Sequence, residues 1–182
     1  MKYRNLPNHL TMLRTALIPV FIAVLMTGHP YVAALIFAVA SLTDALDGHI
    51  ARKYNLVTDF GKLMDPLADK LLVVSALVCL VELGEIAAWM VILILAREFT
   101  ITGLRSVAAS GGNVIAAGLS GKLKTALQML AIIFILLGNQ PFERLGLPVS
   151  RALLWAAVAM TVYSGVEYIV RNRTLFSMRQ KP

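Results

Sequence analysis

The sequence predicts an all-α integral membrane protein with six transmembrane helices, and its composition and length carry that prediction. Of the 182 residues, 58% are hydrophobic and only 15% are charged, and the mean hydropathy is +0.75. Soluble domains contain about 45–50% apolar and about 25% charged residues. Six helices of about 20 residues each fit the chain length. We therefore expect one membrane domain over residues 1–182, and we exclude a disordered chain and an ordinary cytosolic enzyme.

Apolar runs separated by polar breaks predict the helices in chain order. The predicted ranges are 8–27, 30–52, 62–83, 86–105, 119–138 and 148–171. The breaks contain residues that favour turns, as in Gly28-His29-Pro30 and Gly138-Asn139-Gln140-Pro141. The first helix opens with polar residues, so we expect its N-terminal part to be amphipathic and to lie at the membrane interface.

The distribution of positive charge predicts the orientation in the membrane. If both termini are cytoplasmic, most lysines and arginines lie on the cytoplasmic side, and only Arg144 and Arg151 lie on the opposite side. Cytoplasmic loops of membrane proteins are enriched in these two residue types. We therefore expect both termini in the cytoplasm. The net charge of +7 is assigned to contact with anionic membrane lipid, and no nucleic-acid partner is expected.

Four aspartates lie near the predicted cytoplasmic ends of the second and third helices. Asp44 and Asp47 are three residues apart, and Asp65 and Asp69 are four apart, so each pair shares a helical face. Four carboxylates that converge at membrane depth repel one another, and a divalent cation removes the repulsion. A set of oxygen ligands favours Mg²⁺, Mn²⁺ or Ca²⁺. The pattern therefore predicts a metal site suited to phosphate or diphosphate chemistry.

The spacing of these residues resembles the signature of the CDP-alcohol phosphatidyltransferases. The pattern reads Asp44-x2-Asp47-Gly48-x2-Ala51-Arg52-x8-Gly61-x3-Asp65-x3-Asp69. Four stretches outside it resemble the bacterial members of that family that act on a glycerol phosphate. They are Asn5-x-Pro7-Asn8-x-Leu10-Thr11-x2-Arg14, Ala96-Arg97-Glu98, Gly103-Leu104-Arg105 and Gly121-Lys122-x-Lys124-Thr125.

The resemblance implies a multi-pass enzyme of the bacterial cell membrane, commonly a homodimer, whose active site faces the cytoplasm. Such an enzyme transfers the phosphatidyl group of CDP-diacylglycerol to sn-glycerol 3-phosphate and releases CMP. The residues implied as ligands of two Mg²⁺ or Mn²⁺ ions are Asp44, Asp47, Asp65 and Asp69, and Asp69 is also the implied general base. The residues implied to bind CDP-diacylglycerol are Asn8, Thr11, Gly48, Ala51, Arg52 and Thr58.

The acceptor alcohol stays open within this resemblance, because cardiolipin synthases and phosphatidylinositol-type synthases carry the same signature. A phosphorylated acceptor needs a cationic pocket. The cytoplasmic ends of the fourth and fifth helices supply Arg97, Arg105, Lys122 and Lys124, which we predict to bind the phosphate of glycerol 3-phosphate. The alternative is that these charges bind anionic lipid head groups. Glu98 is predicted to pair with Arg97, with a substrate contact as the alternative.

A divalent-cation transporter is the competing function from another class, because aspartates within the membrane also line ion pathways. Transporters place their binding site near the middle of the membrane, beside broken helices. Here the carboxylates cluster at one membrane face, and Arg52, Arg97 and Arg105 would oppose the passage of a cation. The pattern therefore favours an enzyme.

Overall fold

A computed structural model describes the backbone of residues 6–53, 59–110 and 118–173, and the side chains of residues 12, 13, 15–43, 70–109 and 118–173. Within these ranges all regular secondary structure is helical, as predicted. The six α-helices are α1 (Leu6–Met26), α2 (Pro30–Lys53), α3 (Asp59–Glu82), α4 (Ala88–Ser110), α5 (Leu119–Leu136) and α6 (Val149–Arg171). A short 3₁₀ helix, Phe142–Leu145, lies between α5 and α6.

The observed helix bounds differ most from the predicted ones in α4, which continues five residues beyond the predicted end at 105. Residues 106–110 contain neither glycine nor proline, so nothing in this stretch ends a helix. Arg105 therefore lies within the last two turns of α4, with its backbone fixed by the helix. The ends of α5 and α6 agree with the predicted ends within two residues.

The loop between α5 and α6 is held by one asparagine side chain. Gly138 and Asn139 both adopt positive φ after the end of α5, the conformation in which helices commonly end. The Asn139 Nδ2 group donates a hydrogen bond to the Leu147 carbonyl at 2.7 Å. Its Oδ1 atom accepts one from the Ser150 backbone N–H at 2.9 Å. The loop is therefore tied to the first turn of α6, which fixes how α5 and α6 pair.

The hydrophobic core joins the six helices into one bundle. The rings of Phe21 and Phe37 are fully buried, and they pack with centroids 5.9 Å apart where α1 contacts α2. Leu72 and Leu77 of α3 belong to the same buried core, and α3 packs against α1. The most extensive helix pairing is between α5 and α6, and α4 packs against α6. The bundle thus brings one end of α4, α5 and α6 together.

The outer surface of the bundle carries many large apolar side chains. Leu35, Ile92, Phe99 and Val107 are all exposed, and an apolar surface of this kind marks contact with lipid or protein. Among the described residues, α5 and α6 are long and apolar enough to cross a membrane, and shorter apolar stretches cover Thr15–Met26 and Pro30–Thr43. The fold is consistent with a membrane protein.

Candidate active site

The backbone places the four predicted metal ligands in two consecutive helices. Asp44 and Asp47 lie in the second half of α2, and Asp65 and Asp69 lie in the first half of α3. Their side chains lie outside the described residues. Because both stretches are helical, each pair keeps the spacing that places it on one face. The metal site stays a prediction, and the described side chains elsewhere contain no group of three or more His, Cys, Asp or Glu that could hold a metal.

The predicted CDP-diacylglycerol contacts lie in the same region of the chain. Asn8 and Thr11 belong to α1, and Gly48, Ala51 and Arg52 belong to α2. Thr58 falls between the described ranges, and the side chains of the other five are also outside them. Their role therefore remains an expectation.

A cavity of about 590 Å³ opens between α4, α5 and α6. Among its lining residues are three of the predicted acceptor-binding cations: Arg97 and Arg105 from α4, and Lys122 from α5. The other polar residues of its lining are Glu98, Ser120, Thr125, Ser164, Glu167, Tyr168, Arg171 and Asn172. The structure therefore brings together side chains that are separated by up to 75 positions in the sequence.

The charges that line this cavity favour an anionic ligand. Arg97, Arg105, Lys122 and Arg171 contribute four positive charges, whereas the carboxylates of the described lining are Glu98 and Glu167. Both carboxylates are already engaged by cations, Glu98 by Arg97 at 2.9 Å and Glu167 by Arg171 at 2.9 Å. Arginine and lysine side chains bind phosphate groups well, so a phosphate-containing ligand suits the charge of this cavity.

Lys124, the fourth predicted cation, does not line the cavity and occupies a different position. Its side chain is only 2% exposed, and its Nζ donates to Glu98 Oε1 at 2.8 Å. The same oxygen accepts a hydrogen bond from Arg97 Nη1 at 2.9 Å. Glu98 is thus an ion-pair partner of Arg97, as predicted, and it also links α4 to the interior of α5. The structure assigns Lys124 to holding Glu98 in place.

Two glycines make room for Arg97 between α5 and α6. A Cβ atom at Gly165 would lie 3.2 Å from Arg97 Cγ, and one at Gly121 would lie 3.5 Å from Arg97 Nη2. The first distance is tighter than ordinary van der Waals contact. The aliphatic part of Arg97 therefore packs against the backbone of α6 at Gly165, where any larger residue would crowd it. This packing helps to position the Arg97 guanidinium at the cavity.

A second polar contact connects α3 to α4 next to the predicted metal site. Lys70 directly follows Asp69, and its Nζ donates a hydrogen bond to Thr102 Oγ1. Lys70 also lines a small cavity of about 60 Å³ together with Glu98 and Lys124. The helix that carries two of the signature aspartates is therefore joined to the helix that carries Arg97 and Arg105.

The contributions of α6 were not anticipated from the sequence. Arg171 was expected only as one of the positive charges on the cytoplasmic side, and Glu167 and Tyr168 stood out by neither spacing nor composition. All three line the cavity. The only signal available in the sequence was a Glu-Tyr pair one turn from the predicted cytoplasmic end of an apolar helix, where ionisable residues are functional candidates.

The all-helical bundle and its cationic cavity are consistent with a membrane protein that binds phosphate groups. Residues 4–163 match the CDP-alcohol phosphatidyltransferase family, and the chain belongs to that family. Members of this family use divalent metal ions, and the oxygen donors of the four aspartates fit that requirement.

Several relatives are similar over nearly their whole length. A CDP-diacylglycerol--glycerol-3-phosphate 3-phosphatidyltransferase of Bacillus subtilis (strain 168) is 46% identical, with 92% of this chain and 95% of the relative covered. Proteins of the same name from Rickettsia bellii and Shigella flexneri are 42% and 39% identical. The alignments cover 94% and 93% of this chain and 97% and 95% of those relatives.

Proposed function

We propose that the protein transfers the phosphatidyl group of CDP-diacylglycerol to sn-glycerol 3-phosphate, giving phosphatidylglycerol phosphate and CMP. The observation that carries this proposal is the cationic cavity, in which Arg97, Arg105 and Lys122 converge from two helices. Glycerol 3-phosphate is a dianion near neutral pH, so its site needs cationic donors apart from the metal-binding carboxylates. Relatives with the same reaction in their names support the same acceptor.

The proposed arrangement in the membrane follows the positive-charge asymmetry. All six helices cross the bacterial cytoplasmic membrane, both termini are cytoplasmic, and the active site faces the cytoplasm. The C-terminal ends of α4 and α6 and the N-terminal end of α5 share one side of the bundle, where Arg105, Lys122 and Arg171 line the cavity. We further propose that the enzyme works as a homodimer, with CDP-diacylglycerol entering from the lipid phase.

The signature aspartates supply the chemistry of the transfer. Asp44, Asp47, Asp65 and Asp69 would together hold two Mg²⁺ or Mn²⁺ ions. The chemistry that a bound divalent ion would supply there is polarisation of the diphosphate and neutralisation of the charge on the departing CMP. Asp69 accepts the proton of the acceptor hydroxyl. The oxygen then forms a bond to the phosphorus of the phosphatidyl group, and the bond from that phosphorus to CMP breaks.

The cavity residues bind and orient the acceptor. Arg105 and Lys122 contact the phosphate, and Arg97 contributes a guanidinium whose position is set by Glu98 and by the glycines of α5 and α6. Lys124 acts through Glu98, because its ammonium is buried against that carboxylate. Binding the phosphate away from the aspartates leaves the primary hydroxyl of the acceptor free to approach them.

The test is an assay of the purified protein with labelled CDP-diacylglycerol and a panel of acceptors: sn-glycerol 3-phosphate, phosphatidylglycerol and an inositol phosphate. We expect product formation with glycerol 3-phosphate. Turnover with phosphatidylglycerol alone would instead indicate a cardiolipin synthase, and turnover with the inositol phosphate alone a phosphatidylinositol-type synthase. Movement of Mn²⁺ across vesicles without any turnover would indicate a transporter.

The same assay tests the phosphate site. Arg105→Ala should lower kcat/KM for glycerol 3-phosphate by the equivalent of about 2–4 kcal/mol, because a partly buried charge contact is lost. The KM for CDP-diacylglycerol should change little. Arg144→Ala is the matched control, since Arg144 is exposed on the loop at the other end of the bundle. Unchanged kinetics for glycerol 3-phosphate would remove Arg105 from the site.

A further inference from the structure

The α6 wall of the cavity carries two buried polar atoms without a partner. Glu167 Oε2 and the Tyr168 hydroxyl oxygen are both inaccessible to solvent and make no hydrogen bond to any part of the chain that the structure describes. Both residues line the cavity between α4, α5 and α6. Buried polar atoms in proteins nearly always have a partner, so this pair points to a ligand group or to ordered water.

The chemistry of the two atoms defines the group that would satisfy them. Glu167 uses its other oxygen, Oε1, to pair with Arg171 at 2.9 Å, and its Oε2 can only accept a hydrogen bond while the side chain is ionised. The Tyr168 hydroxyl can donate one. An alcohol group suits either atom, because it can donate to the carboxylate and accept from the phenol.

A phosphate group suits this wall less well, because the one cation that α6 contributes to the described lining, Arg171, is already paired with the Glu167 carboxylate. The cations that suit the phosphate, Arg97, Arg105 and Lys122, come from α4 and α5. The cavity therefore offers an anion-binding wall and a hydroxyl-binding wall to the same ligand. A short polyol phosphate has both groups.

We propose that Glu167 and Tyr168 bind the secondary hydroxyl of the glycerol phosphate acceptor and thereby determine acceptor specificity. The proposal rests on the function proposed above. In the transfer reaction the primary hydroxyl of glycerol 3-phosphate gives up its proton and becomes bonded to phosphorus, whereas the secondary hydroxyl stays unreacted. The secondary hydroxyl is therefore the group that a fixed carboxylate and phenol can hold throughout the reaction.

The experiment compares sn-glycerol 3-phosphate with 3-hydroxypropyl phosphate, which lacks only the secondary hydroxyl. For the unmodified enzyme we expect kcat/KM to favour glycerol 3-phosphate by about 100-fold or more, since a site built to bind a hydroxyl rejects an analogue without it. Glu167→Gln and Tyr168→Phe should each reduce this preference by about tenfold or more, chiefly through poorer use of glycerol 3-phosphate.

Tyr163→Phe serves as the matched control. Tyr163 lies on the same helix, and its side chain is 59% exposed on the outer surface, so this variant should keep the full preference. The two test substitutions preserve side-chain size. An unchanged KM for CDP-diacylglycerol would show that the variants remain folded and bind the lipid substrate.

Two results would overturn the proposal while leaving the proposed function intact. One is equal use of both acceptors by the unmodified enzyme. The other is an equal loss of kcat/KM for both acceptors in the Glu167 and Tyr168 variants, which would mean that these side chains hold water or support the cavity wall. Absence of any turnover with glycerol 3-phosphate in the unmodified enzyme would overturn the proposed function itself, and this inference with it.

Discussion

Replacing Glu98 with alanine should destabilise the protein, because the substitution leaves a buried ammonium without its counter-charge. Glu98 Oε1 lies 2.8 Å from Lys124 Nζ, and the Lys124 side chain is only 2% exposed. Removing one partner of a buried ion pair costs about 3–5 kcal/mol. The Glu98 side chain is 23% exposed, so water replaces part of the lost interaction. We therefore expect a loss of about 2–3 kcal/mol.

Thermal unfolding of the purified protein in detergent measures this effect. For a chain of this size, each kcal/mol shifts Tm by about 2–4 °C, so Glu98→Ala should lower Tm by about 4–12 °C. Glu143→Ala is the matched control, because Glu143 is an exposed acid that accepts a hydrogen bond from Gln140 at 2.9 Å. That variant should change Tm by less than about 2 °C, since exposed pairs contribute little.

A double variant separates the loss of the ion pair from the loss of side-chain packing. In Glu98→Ala with Lys124→Met, no buried ammonium remains, and an apolar side chain of similar length replaces the lysine. Because replacing both partners of a buried pair is often neutral, the double variant should recover at least about half of the lost stability. A Tm of Glu98→Ala equal to that of the control, or a double variant less stable than either single variant, would refute the argument.

Three further expectations concern the chemistry and the position of Arg97. EDTA should abolish turnover, and Mg²⁺ or Mn²⁺ should restore it; activity that persists without free metal would contradict the metal-based assignment of the aspartates. Asp69→Asn should abolish turnover while CDP-diacylglycerol still binds, because an amide cannot accept the proton; an equal loss of binding would assign Asp69 chiefly to the metal. Gly165→Val should lower kcat/KM for glycerol 3-phosphate by about tenfold by displacing Arg97, whose Cγ would lie only 3.2 Å from a new Cβ. The control Gly103→Ala meets open space and should have no such effect.

The sequence was sufficient for the helices and for most of the cationic cavity. Apolar runs and turn residues predicted six helices within a few residues, except at the end of α4, where a stretch without glycine or proline continues the helix. Excess positive charge at one side predicted that Arg97, Arg105 and Lys122 would meet, and they line one cavity. These features depend on local residue patterns and on the uneven distribution of positive charge along the chain, and both can be seen in a single sequence.

The sequence could not reveal how individual side chains divide their roles. Lys122 and Lys124 are two residues apart on α5 and read as equivalent charges, yet Lys122 lines the cavity and Lys124 is buried against Glu98. A spacing of two on a helix turns the second side chain about 200° from the first. Which of the two faces the cavity depends on how α5 packs against α4 and α6, and no local pattern encodes that.

The proposed roles of the helices would explain how one signature serves different acceptors. The signature aspartates lie on α2 and α3. The cavity that we assign to the acceptor is built by α4, α5 and α6, and its contacts with the signature helices include the Lys70–Thr102 hydrogen bond. We therefore expect substitutions on α4 to α6 to change the acceptor without disturbing the predicted metal ligands. Acceptor preference should accordingly follow the cavity wall, and above all the α6 residues opposite the cations.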